Sequence, residues 1–253
     1  MKGAWWRPFL FTNAALTRSR FTSINWENVL ARLLPFDPST MVLESIGGED
    51  AVDPDRLRVE WIRSRFANQP DWSPEVSFEK RLHDTLDPPT PASVLIPIVA
   101  RDNGLSILFT RRTDHLHDHA GQVSFPGGRA EEIDTSVIET ALRETEEEIG
   151  LDRRHVEVIG ALPKYVTATG FSVTPIVSIV LPPFRLSADP FEVAEIFEVP
   201  LSFLMNGTNH QRLLAEFPRG LGRRSFYAIP YEQYFIWGAT AGMLRNLFHF
   251  LRA

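Results

Sequence analysis

The sequence predicts an α/β layer structure, and three observations carry that prediction. Ala92–Ala100 is an apolar run of strand length, and Asp102-Asn103-Gly104 joins it to a second run, Leu105–Thr110, as in a hairpin. Residues 136–149 repeat apolar side chains at helical spacing, and a second helical pattern covers roughly residues 236–251. Strands and helices interleaved in this way favour layers over an all-helical or all-strand fold.

Taken in order, the first 26 residues carry Lys2, Arg7, Arg18 and Arg20 and no acid before Glu27. Arg7 and Pro8 break the apolar patch Trp5–Phe11, which argues against a secretory signal. Three readings compete for this stretch: a basic surface arm, a start codon ahead of the true one (Met41 is the next), and an organelle transit peptide. Residues 27–85 alternate helical patterns with breakers, such as Trp26–Leu34 stopped by Pro35. Asp53-Pro54 predicts a helix start running through Leu57, Val59, Trp61 and Ile62, with proline at the first helical position. Leu86–Pro91 holds three prolines and reads as a linker. Residues 1–90 are therefore expected to be a mainly helical or irregular extension of unassigned role, and 91–253 the main domain. Beyond the hairpin come a strand at Gln122–Phe125, the helix over 136–149, and strands near 156–162 and 171–181.

Composition narrows the function. With 253 residues, 43% hydrophobic and 23% charged, the chain can bury a full core, which excludes a disordered or collagenous class. Zero cysteines exclude disulfides, thiolate metal sites and a cysteine nucleophile, and suit a reducing, cytoplasmic location. A net charge of -6 supplies no basic field for nucleic acid, and no apolar run reaches a membrane span.

Residues 131–148 hold eight carboxylates against one base, Arg143. At about 100° per residue, Glu144, Glu147 and Glu148 share one helix face, while Ile138, Leu142, Thr145 and Ile149 form the core face. Glu139 and Arg143 stand in the favourable i,i+4 order. A solvated acidic face is the bland reading. It carries a cost, because like charges at these spacings destabilise by roughly 0.2–0.5 kcal/mol per pair. Anions in the last turns lose roughly 0.3–1 kcal/mol each to the helix dipole. A hard divalent cation, Mg²⁺ or Mn²⁺, reverses the sign of both effects and suits oxygen-only ligands. Just ahead lies Phe125-Pro126-Gly127-Gly128, which reads either as a plain turn or as close backbone approach to a phosphate or metal.

The stretch from Gly128 through Arg143-Glu144-Thr145-Glu146-Glu147-Glu148-Ile149-Gly150-Leu151 resembles the Nudix box: G, five residues, E, seven residues, REU, any, EE, any, G, U, with U a bulky aliphatic. Thr145 takes a U place, the loop after Gly128 is one residue longer, and Thr135 stands where the early Glu belongs, so Glu132 or Asp134 is the candidate substitute. Upstream, Leu108–Gly128 is similar to the added signature of the coenzyme A diphosphatase branch, with Arg112, Leu116, His119, Gly121, Val123 and the Phe-Pro-Gly-Gly turn in place. Leu162-Pro163, Thr169–Pro175, Glu192–Leu201 and Tyr231–Gly238 match that branch too.

This resemblance implies hydrolysis of the diphosphate bond of coenzyme A or an acyl-CoA to 3′,5′-ADP and 4′-phosphopantetheine or its acyl ester. It implies an α/β (α+β) fold, an α/β/α sandwich with a mixed sheet and the Nudix loop-helix, Mg²⁺ or Mn²⁺ held by Glu144, Glu147 and Glu148, and, by family analogy, a homodimer. The substrate-binding candidates are Arg112, His119, Gly127 and Gly128. Glu192 is the candidate general base, with Glu195 second. Arg112 has a surface salt bridge as its plain alternative. His115, His117 and His119 are read as structural or substrate-contacting and not as a zinc site. Tyr231, Tyr234, Phe235 and Trp237 are expected in the core more than against adenine. The competing functions are a Nudix hydrolase of another nucleoside diphosphate derivative, such as ADP-ribose, and a catalytically silent nucleotide- or protein-binding module.

Overall fold

The computed structural model describes residues 41–77, 79, 87–114, 121–217 and 222–253. In chain order the elements are β1 (Val42–Ile46), α1 (Val59–Ala67), β2 (Thr90–Arg101), β3 (Gly104–Arg112), β4 (Val123–Ser124), β5 (Gly127–Arg129), α2 (Val137–Ile149), β6 (Val156–Ala161), β7 (Tyr165–Val166), β8 (Phe171–Val180), β9 (Val193–Pro200), α3 (Leu201–Leu204), β10 (Gln211–Phe217), β11 (Gly222–Tyr231), β12 (Tyr234–Trp237) and α4 (Gly238–Arg252). Short 3-10 turns at Pro54–Leu57, Arg153–His155 and Gly207–Asn209 complete the list.

The predicted hairpin forms β2 and β3, paired Arg101 to Gly104 across the turn. An eight-stranded sheet runs β4-β3-β2-β8-β6, with β9 beside β3, β5 beside β2 and β7 beside β8. Among the described strands only β2 and β8 pair parallel, from Thr90–Phe171 to Val99–Val180, so the sheet is mixed.

Its central strands are apolar on both faces, and that dictates the layering. Ile96 and Ile98 of β2, Ile107 and Phe109 of β3, and Val177 and Ile179 of β8 face one core with Ile62 and Phe66 of α1 and Leu244, Leu247 and Phe248 of α4. The alternate residues Leu95, Val99, Leu108, Ile176 and Val180 point the other way, with Ala141 and Ile149 of α2. A strand buried on both faces needs cover on both sides. The expected α/β/α arrangement is the result.

Residues before 90 differ from the sequence reading in two details. The expected continuous helix from Asp53-Pro54 breaks at Arg58, which is extended (φ -106, ψ 147), so a 3-10 turn precedes α1. Val42–Ile46 is a strand, antiparallel to β10 at the edge of a second sheet ordered β1-β10-β11-β12. The linker region is shorter than expected, because Thr90 and Pro91 already belong to β2.

The segment 49–79 is fastened to α4. Arg245, only 4% exposed, pairs with Glu49 and with Glu75 at 2.7 Å. Asn246 accepts from Val76 N–H at 3.0 Å and donates to Val76 C=O. Arg65 donates to the Phe250 carbonyl at 3.0 Å, and Arg56 to that of Leu251 at 3.2 Å. These cations also satisfy carbonyls left open in the last turn of a helix.

Candidate active site

Helix α2 starts where Ser136 accepts from Glu139 N–H at 3.2 Å and stops at Gly150. Its buried residues are Thr140, Ala141, Thr145, Glu148 and Ile149, while Ile138 is exposed. Helical spacing places Ile138, Leu142, Thr145 and Ile149 on the core face and Glu148 with Glu144 and Glu147; Thr145 and Ile149 are buried as expected, but Ile138 is exposed. The helix is instead rolled so that Glu148 enters the protein. The approach is open because β5, beside it, presents glycines. Thr145 sits in an apolar place by donating its hydroxyl to the Ala141 carbonyl at 2.6 Å.

Glu148 is 6% exposed. Its Oε2 accepts from Gly127 N–H at 3.1 Å, and Arg112 Nη1 stands 3.9 Å from Oε1. Burial pushes its carboxyl up to about 8, the Gly127 N–H and Arg112 opposing, Glu192 and Glu144 adding like charge. Glu144 is also raised, first by burial, against the pull of Arg143 at 3.0 Å and with Glu147 and Glu192 adding repulsion.

The two glycines act differently. Gly127 adopts φ 149, and a Cβ there would lie 2.4 Å from the Ser93 carbonyl and 2.5 Å from Val94 Cα. A Cβ on Gly128 would lie 2.4–2.7 Å from the Glu144 carboxylate. One glycine makes the turn; the other makes room for a carboxylate.

Glu192 arrives from the loop before β9. Thr113 N–H donates to the Glu192 carbonyl at 3.0 Å, Thr113 Oγ1 to that of Phe191 at 2.8 Å, and Asp189 N–H to the Glu148 carbonyl at 2.9 Å. These bonds carry the Glu192 carboxylate into the field of Glu144 and Glu148. The Nε of Arg112 is buried without a hydrogen-bond partner among the described residues.

Glu147 does not join this group. Its side chain is 60% exposed and accepts from Arg143 Nη1 at 2.9 Å. Among the described residues no three acidic or histidine side chains converge as a metal cage. The donors that are gathered nevertheless suit a hard cation: two desolvated carboxylates with raised proton affinity, a third nearby, and no soft ligand. Glu195, the second base candidate, is held low by Tyr234 O–H at 2.6 Å and Arg111 at 3.2 Å, so it is ionised and already paired. His119, with His115 and His117, lies outside the described residues. Tyr234 stacks on Phe197, and Tyr231 meets Phe203 edge-on, as expected of core aromatics; Trp237 meets Phe226 edge-on.

The NUDIX domain family matches residues 89–201. An Escherichia coli O7:K1 protein described as "Uncharacterized Nudix hydrolase NudL" is 48% identical over 157 residues, which are 62% of this chain and 80% of the relative. The chain belongs to the Nudix hydrolase family. A Shigella boydii protein of the same description is 48% identical over 159 residues, at 62% and 80% coverage. Among solved structures, a Nudix hydrolase from M. smegmatis, RenU, is similar at 18% identity and a TM-score of 0.39, over 46% of this chain and 73% of that one.

As a Nudix box, residues 128–151 depart from the pattern in a way the structure accounts for. Arg143 does not pair with Glu139, which goes instead to Arg153 at 3.0 Å. It is held by Asp134, through Nε–Oδ1 and Nη2–Oδ2 at 2.9 Å each, and its remaining reach takes in Glu144, Glu147 and the Arg129 carbonyl at 3.2 Å. Asp134, and not Glu132, is the acid next to Thr135 that pairs with Arg143. Among the described residues no helix is long and apolar enough to cross a membrane.

Proposed function

We propose that this Nudix hydrolase cleaves the diphosphate bond of coenzyme A or an acyl-CoA, giving 3′,5′-ADP and 4′-phosphopantetheine or its acyl ester. The observation that carries the reading is the buried Glu148 carboxyl on the Gly127 N–H, with Glu144 and Glu192 around it and Arg112 beside it. The ordered signature from Arg112 to Gly128 supports the choice of substrate.

Glu144 and Glu148 would hold Mg²⁺ or Mn²⁺, and Glu147 completes the set once it exchanges its bond to Arg143. Such a cation, when bound, neutralises diphosphate charge and lowers the pKa of a bound water. Arg112, its Nε unspent, receives a phosphate oxygen through the guanidinium fork. Gly127 and Gly128 let the backbone come close to the diphosphate. Glu192 takes a proton from the attacking water as the P–O bond to the leaving phosphate breaks. His119 belongs to the same signature and is proposed as a further substrate contact. The protein is proposed to act in the cytoplasm as a homodimer.

The test is product analysis by chromatography and mass spectrometry after incubation with Mg²⁺ or Mn²⁺. Coenzyme A, an acyl-CoA, dephospho-CoA and ADP-ribose are supplied in parallel. Release of 3′,5′-ADP from coenzyme A, faster than dephospho-CoA turns over, is expected. Turnover of ADP-ribose alone keeps the chemistry and discards the substrate. Metal binding with no turnover makes the protein a silent binding module.

A further inference from the structure

A cavity of about 410 Å³ lies between the 75–79 segment and the β10–β11 hairpin, outside the carboxylate site. Its lining includes Arg212, Arg223, Arg224, Phe226 and Tyr227. The volume is in the range of small-ligand sites, in which rings supply area and a few charged groups supply specificity.

Its carboxylates are already engaged. Glu79 accepts from Tyr165 O–H at 2.7 Å and from Ala168 N–H at 2.9 Å. Glu75 accepts from Tyr227, from Arg245 at 2.7 Å and from His249. Of the arginines, Arg212 is tied to Glu44 at 3.2 Å and lies over the Tyr227 ring. β12 pairs only with Ala228–Tyr231, so among the described strands none flanks Arg223–Tyr227 on that side, and all five of those residues line the cavity. The wall thus offers guanidinium forks, which match phosphate geometry, beside aromatic faces.

Strand register relates the cavity to the carboxylate site: Tyr165, in its lining, pairs with Val173, Val173 with Ala92, and Ala92 with Arg129 of β5, the strand of Gly127 and Gly128. Gly238 also lines the cavity, and Thr240, two residues on, donates to the Val123 carbonyl at 3.1 Å. Val123 opens β4, four residues before Gly127.

We propose that this cavity receives the nucleotide end of the substrate, Arg223 and Arg224 taking a phosphomonoester remote from the bond that is cut. The assignment rests on the coenzyme A reading and deepens it, since it gives the 3′-phosphate a place.

The experiment compares the full chain with R223Q/R224Q and R223K/R224K, all checked for equal thermal midpoints. With Mg²⁺ present, R223Q/R224Q is expected to raise KM for coenzyme A roughly tenfold at unchanged kcat, the loss of one good charge-assisted contact. Its kinetics on dephospho-CoA stay as they are, and the lysine variant recovers part of the loss. Equal losses on both substrates, or none, overturn the proposal.

Calorimetry with 3′,5′-ADP, 5′-AMP and inorganic phosphate reads the cavity without turnover. Tighter binding of 3′,5′-ADP than of either other probe, abolished in R223Q/R224Q, supports it. A preference that survives the substitution, or inorganic phosphate binding as well as the nucleotide, overturns it. If the wild type cleaves neither coenzyme A nor dephospho-CoA, the substrate reading falls and the binding arm alone judges the cavity.

Discussion

Asp134 grips Arg143 with both carboxylate oxygens, each 2.9 Å from its guanidinium nitrogen, and that arginine in turn reaches Glu144 of the site and the exposed Glu147. The Arg143 guanidinium holds the Asp134 carboxyl well below the usual carboxylate range. Asp134→Ala leaves Arg143 to its other partners, Glu144 and Glu147. Loss of such an orienting partner costs roughly 10–100-fold in metal affinity or activity. Titration calorimetry with Mn²⁺ and steady-state rates measure both. Asp134→Glu, a side chain one methylene longer in the longer loop, is expected to recover only part. Full activity in Asp134→Ala would show that Arg143 needs no anchor.

Glu148→Gln is expected to abolish turnover while leaving the metal-free protein as stable as the wild type or more so. The amide oxygen keeps the Gly127 N–H bond, and a desolvated charge is gone. The pH dependence has a definite sign. The folded carboxyl titrates near 8 and the unfolded one near 4.5, so the native state holds the extra proton between those values. Stability of the metal-free wild type therefore falls as pH rises from 4.5 through 8, and Glu148→Gln flattens that slope. Urea midpoints in the presence of a chelator at pH 5 and pH 8.5 check it; a slope shared by the mutant would assign it elsewhere.

The paired glycines separate structure from chemistry. Gly127→Ala meets backbone atoms at a positive φ and is expected to destabilise the fold by about 1–3 kcal/mol. For Gly128→Ala the nearest atoms are those at the flexible end of Glu144. Its thermal midpoint should move little while kcat falls, because the carboxylate is displaced. Calorimetry beside kinetics distinguishes the two, and equal unfolding in both variants would contradict the assignment.

His210 supplies a second pH signature away from the site. It is 1% exposed, its Nε2 lies 2.8 Å from the Leu204 carbonyl, and its Nδ1 lies 3.1 Å from Arg245 Nη1. That pairing requires a neutral ring with the proton on Nε2. Burial, aided by the Arg245 charge, lowers its pKa to about 4. Between 6.5 and 4 the unfolded chain binds a proton that the folded one refuses, so stability present above 6.5 is lost as pH falls toward 4. His210→Gln should reduce that loss, read from urea midpoints at pH 4.5 and 7.

Arg245→Met removes the shared partner of Glu49 and Glu75 at a buried position. Taking one member from a buried charge group costs about 3–5 kcal/mol. Hydrogen exchange should show the 49–79 segment losing protection before the eight-stranded sheet does. Uniform loss across the protein would contradict a local clasp.

What the sequence revealed and what it concealed follow from range. The β2–β3 hairpin is written in three turn residues, and α2 in its cap and its period, so both are legible within a dozen positions. β9 pairs with β3 at separations of about 80–95 residues (Arg112 to Val193, Ser106 to Pro200), and β1 with β10 at about 165–170. No local pattern reports such partners. Chemistry shows the same divide. Glu144 and Glu148 are visible from helical spacing, yet the burial of Glu148 follows from glycines twenty residues upstream. The nearness of Glu192 follows from Thr113. Order in the chain leaves Glu132 and Asp134 equivalent as partners for Arg143, and loop geometry selects Asp134.

The fastening of residues 49–79 to α4 bears on how the protein is made. Arg56 reaches the carbonyls of Leu251 and Arg252, and Glu49 and Glu75 reach Arg245, across about 170–196 positions. A growing polypeptide leaving the ribosome presents the early segment long before its seat exists. Phe66 and Trp72 cannot meet the Phe250 ring until α4 has been synthesised, so this part of the core is completed late. During that interval the nascent chain is at its most vulnerable to chaperones, proteases and aggregation.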